Sequence, residues 1–184
     1  VKKDSRFKLS MFDFYPQIKD KTIKTSFDRH YVYHTAWAIR KVRDLNPEEH
    51  TDISSILYFC GALSAFTPTK FYDYRPAELK LSNLQSKHAD LTKLHFEDNS
   101  IHSLSCMHTV EHIGLGRYGD PIDPKGDIKA CLELSRVLKP GGQLIFVTPI
   151  GKPKIEFNAH RIYSFEQVIA LFPDLHLKEF SIVT

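Results

Sequence analysis

Between residues 126 and 150 the sequence changes its period abruptly. Gly126–Leu138 repeats apolar residues at helical spacing, with Ile128, Leu132, Leu134, Val137 and Leu138 on the periodic positions. Lys139-Pro140-Gly141-Gly142 is a sharp stop. Gln143–Ile150 (QLIFVTPI) is then apolar at almost every position. A strand tolerates that only when both of its faces are covered, as in a parallel sheet flanked by helices. The segment therefore predicts an α/β fold with a doubly wound, mostly parallel sheet.

The rest of the chain alternates in the same way. Residues 27–45 carry Tyr31, Tyr33, His34, Trp37, Ala38 and Val42 at helical spacing, and Pro47 ends that helix. Strands are expected at His50–Ile53, Lys70–Tyr74, Ser86–Ala89 and Ile101–Met107. Ala62–Phe66 reads as helical or irregular, and Glu97–Ser100 as a turn. Ser164 caps a helix that runs through Leu171, with Glu166 in its first turn. Leu175–Val183 alternates like a last strand. Two regions result: a basic N-terminal arm with a helix over 1–45, and an α/β domain over 46–184. Right-handed crossovers place ligands at the carboxyl ends of the strands.

A chain of 184 residues suits one sizeable core. No apolar run approaches a membrane span, and the first residues hold none long enough for a signal peptide. The chain starts without Met, as a piece of a longer protein would. The net charge of +3 is unevenly spread: residues 1–43 hold eleven Lys and Arg against four Asp and Glu. Such an arm either meets an anionic partner or is simply solvated. No nucleic-acid-binding motif supports a nucleic-acid partner. Cys60, Cys106 and Cys131 are widely spaced and form no CxxC pair, which suggests buried, reduced thiols in a cytoplasmic protein.

Two blocks carry a resemblance. His88–Ile113 (HADLTKLHFEDNSIHSLSCMHTVEHI) places an acidic residue at the end of a short strand, then a turn, then a strand leading into a histidine pair. Glu133–Pro149 (ELSRVLKPGGQLIFVTP) gives a helix, a glycine turn and a strand. In this order, about 20 residues apart, they resemble the class I S-adenosylmethionine-dependent methyltransferases. EHIGLGRYGDPIDP (Glu111–Pro124) and NAHRIYS (Asn158–Ser164) resemble a small methyltransferase-like family within that superfamily. The resemblance, over roughly residues 50–183, implies a Rossmann-like sheet and an S-adenosylmethionine cofactor. It also implies a seventh, antiparallel strand, for which the chain leaves no residues after the segment read as the sixth. An exposed sheet edge, and a homo-oligomer through it, are therefore expected.

Candidate site residues follow. A nucleoside cofactor needs an acceptor for its ribose hydroxyls about 20 residues beyond the first turn. Asp73 lies 21 residues after Asp52 and ends its strand. The resemblance puts Asp90 near adenine and Asp52 at the opening of the first loop. That loop departs from the superfamily: Asp52-Ile53-Ser54-Ser55 has no glycine, and Gly61 is the only glycine before Gly114. Ser54 and Ser55 are the substitutes, and His108 completes the cofactor set. The alternative for each aspartate is a surface or capping role.

The glycine-rich loop Gly114–Asp127 lies where the superfamily holds substrate, with Arg117, Tyr118 and Asp120 suited to an acidic or hydroxylated molecule. A hydroxyl nucleophile needs a base, and His112 is the first candidate, with Glu111 orienting it or replacing it. His160 and Arg161 would close the pocket from the other side. Each pair also has a structural alternative: Glu111 and His112 as turn caps, Arg161 as the partner of a carboxylate. The expected activity is methyl transfer to a small molecule, sugar or glycan. The missing glycine loop motivates a second reading, a non-catalytic or repurposed binding domain. A remote third is a zinc hydrolase: His108–His112 (HTVEH) fits H-x-x-E-H, with Glu179 as a possible further ligand. That motif needs a sustained helix, which Gly114 and Gly116 preclude. No metal is expected, and His30, His34, His50, His88, His95, His102 and His176 read as solubilising or partly buried.

Overall fold

The structure is a computed structural model that describes residue 8 and residues 10–184. Residues 1–7 and 9, part of the basic arm, lie outside the described residues. Five parallel strands form one sheet: β1 (His50–Ile53), β2 (Thr69–Asp73), β3 (Leu84–His88), β4 (Ile101–Met107) and β5 (Leu138–Val147). Their order is β3-β2-β1-β4-β5. Helices cover both faces, so the fold is the doubly wound, Rossmann-like one of class I methyltransferases, preceded by an N-terminal helical segment.

Strand alternation divides the core. Phe71 and Met107 point to one face, where Ala38 and Val42 of α1 (Arg29–Leu45) and Phe59 and Leu63 of α2 (Leu57–Leu63) meet them. Tyr72 and Cys106, one residue away, point to the other face, against Ala130, Leu134 and Val137 of α3 (Gly126–Val137). All four residues of β1 are buried. Cys60, Cys106 and Cys131 are buried free thiols. Among the described residues no helix is long and apolar enough to cross a membrane.

Pro47 and Ser164 act at helix ends as read, and two further caps join them. Asp28 caps α1 by accepting the Tyr31 N–H at 3.0 Å. Asn46 closes it in the left-handed region, φ 49°, ahead of Pro47. Ser164 and Gln167 form a reciprocal capping box on α4 (Phe165–Ala170). The E-x-x-R pair of α3 pins the preceding loop. Glu133 accepts the Leu94 N–H at 2.7 Å, and Arg136 donates to the carbonyls of Leu94 and Phe96.

Some boundaries differ from expectation. Helix α2 starts at Leu57, five residues before the segment read as helical or irregular. Strand β5 begins at Leu138, the last residue of the expected helix, and runs through the expected stop. Leu138 pairs with Ile101 and Gln143 with Ser103, so the Pro-Gly-Gly residues lie in a register shift rather than outside the strand. A Cβ on Gly142 would stand 2.9 Å from the carbonyl oxygens of His102 and Lys139, and glycine alone fits there. Leu175–Val183 is not a strand. Its side chains dock elsewhere: Glu179 binds Trp37 Nε1 at 3.0 Å and Lys41 Nζ at 2.6 Å on α1, and Phe180 meets Phe165. Strand β5 is therefore an edge of the five-stranded sheet, and among the described residues neither a sixth nor a seventh strand joins it. A small antiparallel hairpin, β6 (Lys154–Glu156) and β7 (His160–Ile162), follows β5 and was not expected.

Candidate functional site

Strand order reverses between β1 and β4, and the carboxyl ends of these two strands mark the crevice in which a parallel sheet of this order holds its ligands. The residue after each strand is left-handed without being glycine: Ser54 at φ 58° and His108 at φ 56°. Such backbone costs about 1–2 kcal/mol per residue and persists only where its surroundings enforce it. Here they do. Thr109 Oγ1 donates to the Ser54 carbonyl at 3.1 Å, Ser55 Oγ accepts the Met107 N–H at 3.0 Å, and the Ser54 N–H reaches the Tyr72 carbonyl at 2.7 Å. A cleft of about 640 Å³ bounded by Glu49, Lys70, His102 and Lys139 lies at the opposite, amino-terminal edge of the sheet.

Beneath the crevice is a sealed polar layer. Asp52, fully buried, accepts from Ser105 Oγ and from the Ser55 N–H at 3.0 Å. His50, also fully buried, bonds Ser103 Oγ at 2.7 Å and Ser105 Oγ at 2.8 Å. Burial pushes the Asp52 carboxyl up to about 6 and the His50 imidazole down to about 3.

On the β2 side, Asp73 Oδ1 accepts the Arg75 N–H at 2.7 Å, and Oδ2 has no hydrogen-bond partner among the described residues. Asp90 Oδ1 accepts from both N and Oγ1 of Thr92. Arg75 and Arg117 stack on Tyr118, with guanidinium carbons 4.8 and 5.1 Å from its ring centre. The Gly114–Asp127 loop thus meets the segment after β2. Asp120 holds the loop's own backbone, accepting from the N–H groups of Gly114 and Gly116 at 2.8 and 3.4 Å. Gly114 has φ 77°, and a Cβ there would lie 2.1 Å from the Asp123 carbonyl oxygen.

Beyond β4 stands a 3₁₀ turn, Val110–His112. Glu111, 1% exposed, accepts His108 Nδ1–H at 2.9 Å, and its nearer oxygen is 4.0 Å from His112 Nε2. His112 Nδ1 lies 2.6 Å from the Ala159 carbonyl, which must accept, so the proton sits on Nδ1 and Nε2 keeps its lone pair. Arg117 donates to the same carbonyl at 3.0 Å. Burial lowers the His112 pKa below 6.5, which leaves the imidazole neutral at pH 7. The His160 ring is 6.2 Å from that of His112, and its Nε2 is 3.5 Å from Glu156. Arg161, 5% exposed, donates to the Ile113 carbonyl at 2.6 Å and pairs with Asp127 at 3.5 Å, which also accepts from Tyr163 Oη.

Known proteins fit this geometry at two levels. Residues 72–177, more than half of the chain, match the family described as Caenorhabditis protein of unknown function, DUF268. The chain belongs to the DUF268 family. No curated relative matches it. Among solved structures, YcgJ of Bacillus subtilis aligns over 76% of this chain at 17% identity and a TM-score of 0.58. A Haloferax volcanii chain, solved as a complex with the Trm112 methyltransferase activator, aligns over 77% at 18% identity and 0.55. Phosphoethanolamine N-methyltransferase 2 of Haemonchus contortus, bound to phosphomonomethylethanolamine and S-adenosylhomocysteine, aligns over 83% at 14% identity and 0.52. These likenesses show the fold. The DUF268 chain spans 66% of the length of each of the first two and 42% of the third.

In this DUF268 chain Ser54, Asp73, His112, Arg117 and Tyr118, from elements far apart in sequence, stand around the carboxyl ends of the strands, with Glu111 buried beside them. Three expected site residues sit differently. Asp52 is enclosed in the polar layer, because its carboxylate is taken up by Ser55 and Ser105. Arg161 is spent on Asp127 and the Ile113 carbonyl. Asp120 is spent on loop amides. The HTVEH residues form no sustained helix, and Glu179 lies against α1, bonded to Trp37 and Lys41. Three side chains were not foreseen: Arg75, and the pair His30 and His34, whose rings stand beside His108. The signal for the pair was their i, i+4 spacing on α1.

Proposed function

We propose that the chain is an S-adenosylmethionine-dependent methyltransferase that acts on a hydroxyl or carboxyl oxygen of an anionic small molecule or glycan. The observation that carries this reading is the conjunction of Asp73, His112 and the Arg75–Tyr118–Arg117 stack around the crevice where the strand order reverses. The residues suit the cofactor. Asp73 has a free carboxylate oxygen for ribose hydroxyls, and Asp90 stands at the next strand end for the base. The left-handed turns at Ser54 and His108 supply the curvature that glycine gives elsewhere. Ser54, Ser55 and the His108 backbone line that turn, and Asp52 holds it from below. When bound, the cofactor supplies an electrophilic methyl group.

The chain's own residues do the rest. Arg75 and Arg117 attract and orient an acceptor's negative charge over Tyr118. His112, neutral and with its Nε2 lone pair free, accepts the acceptor's proton. His160 borders the same pocket, while Glu111 and Arg161 set the positions of the turn and the hairpin.

A second reading is a binding domain without catalysis. The bonds of Ser54 to Thr109 and of Ser55 to Met107 favour it, because they close the first loop against β4. Calorimetry with S-adenosylmethionine on the wild type and on Asp73→Ala decides. Micromolar binding by the wild type, lost in the variant, is the expected result. A well-folded wild type that takes up no cofactor would overturn the methyltransferase reading.

A further inference from the structure

Three imidazoles converge where α1 crosses the carboxyl end of β4. His30 and His34 lie one turn apart on the same face of α1. Their ring centres are 4.8 Å apart, and the His108 ring stands 4.4 Å from the first and 5.1 Å from the second. One nitrogen from each ring lies within 4.8 Å of the other two. His34 is buried and the other two are partly buried.

Tautomers make this a donor set. The His30 carbonyl can only accept, so His34 Nδ1, 2.7 Å away, carries a proton and its Nε2 holds a lone pair. Glu111 accepts from His108 Nδ1 at 2.9 Å, so His108 Nε2 also holds a lone pair. His30 Nε2 points directly at His108 Nε2. With a lone pair on His108 Nε2, His30 Nε2 is the donor of that contact, so a cation that displaces this single proton would meet three imidazole lone pairs around a common point. Glu111 supplies an independent indication. It is almost fully buried, and among the described residues its only salt-bridge partners are His108 and His112, with no lysine or arginine. A buried carboxylate needs positive charge nearby, and a metal on His108 supplies it through the imidazole, the carboxylate–histidine–metal relay.

We propose that His30, His34 and His108 form a three-histidine site for a divalent transition-metal ion of borderline softness, such as zinc, with Glu111 orienting His108. Three imidazoles select zinc, nickel, copper or iron over magnesium and calcium. Metal–nitrogen bonds of about 2.0–2.1 Å in a tetrahedral arrangement need ligand nitrogens about 3.3 Å apart, so small ring movements suffice. Three protein ligands leave one position open to water or another oxygen donor. The ligand pair differs from that of the HTVEH motif: His108 is shared, but its partners come from α1, and His112 is not among them. The site does not depend on methyl transfer.

The test is titration of the untagged full chain with Co²⁺, followed by its visible absorption and by displacement with Zn²⁺, with far-ultraviolet circular dichroism as the folding check. The expected result is one equivalent of metal per chain. Glu111→Gln should weaken binding by roughly 10- to 100-fold, and His30→Gln should weaken it further. His112→Gln should leave the affinity unchanged. If His30→Gln is misfolded, His108→Asn serves instead, since asparagine accepts the left-handed backbone at that position. A folded wild type that binds no metal would overturn the proposal. So would a folded His30→Gln or His108→Asn that binds like the wild type.

Discussion

Glu111 has a histidine on either side, and the two neighbourhoods are built differently. Towards α1, His108 meets His30 and His34 with ring centres 4.4 and 5.1 Å away, and their nitrogens turn inward to a point. Towards the β6–β7 hairpin, His112 and His160 stand 6.2 Å apart, each tied to its own acceptor, Ala159 or Glu156. The first arrangement suits a small cation. The second keeps its two imidazoles on separate acceptors, with the His112 ring edge-on to Tyr118 and Arg117 on the Ala159 carbonyl. The cause is the backbone between them. His108 is left-handed and the 3₁₀ turn after it is only three residues long, so two histidines four residues apart face different partners. Spacing alone would have put them on one face.

Three substitutions sharpen this contrast. The largest effect is expected from Arg161→Met, on the hairpin side. It leaves Asp127 buried without its cation, which should cost about 3–5 kcal/mol and lower Tm by roughly 10 °C in thermal unfolding. If metal uptake at the α1 side survives in the folded variant, the two neighbourhoods are independent; a loss of both would mean that they form one unit. A Tm within a degree or two of the wild type would show that Arg161 is no brace.

The next effect concerns the polar layer under both. Asp52 holds its proton to about 6 in the folded chain against an ordinary 3.8. Its stabilising contribution is complete below pH 3.8 and is lost as pH rises through about 6. His50 and His34, pushed by burial from 6.5 to about 3 and about 4, act oppositely. Their contribution is present above pH 6.5 and is lost as pH falls through about 4 and then about 3. Between pH 6 and 3.8 the slopes offset. Asp52→Asn removes the offsetting one, so stability should fall more steeply on acidification, by up to about 1.4 kcal/mol per pH unit. Denaturant melts across that range check it, and equal slopes in the two proteins would refute it.

The smallest effect is expected on the α1 side alone. Asp28→Ala removes the cap two residues before His30 and should cost about 1 kcal/mol. Metal affinity should weaken with it while the hairpin side is untouched. Amide exchange in the first turn of α1 and in the hairpin reads the two separately.

Much of the fold was legible because local signals decide it. β1 and β4 were read to the residue, and Ser164 and Pro47 act where their chemistry dictates. Leu175–Val183 misled because alternation states only that two faces differ. It does not say whether an edge strand or a helix receives the apolar one. Here Glu179 and Phe180 found α1 and α4 instead. The candidate site was legible by residue type but not by use. Asp52, Asp120 and Arg161 have the chemistry of a site, and the fold spends each of them on its own backbone or core. The residues that went unread, Arg75 and the pair His30 and His34, act through long-range packing of α1 and of the loop after β2, which no local pattern encodes.

The clasp between Glu179 and α1 has a practical side. The chain has one tryptophan, and its indole N–H is bound by that carboxylate. Lifting the C-terminal segment from α1 would release the indole and change the emission of a single, known fluorophore. The protein thus carries a built-in optical gauge on the helix that bears His30 and His34. It can report how tightly that helix is held without any label being introduced.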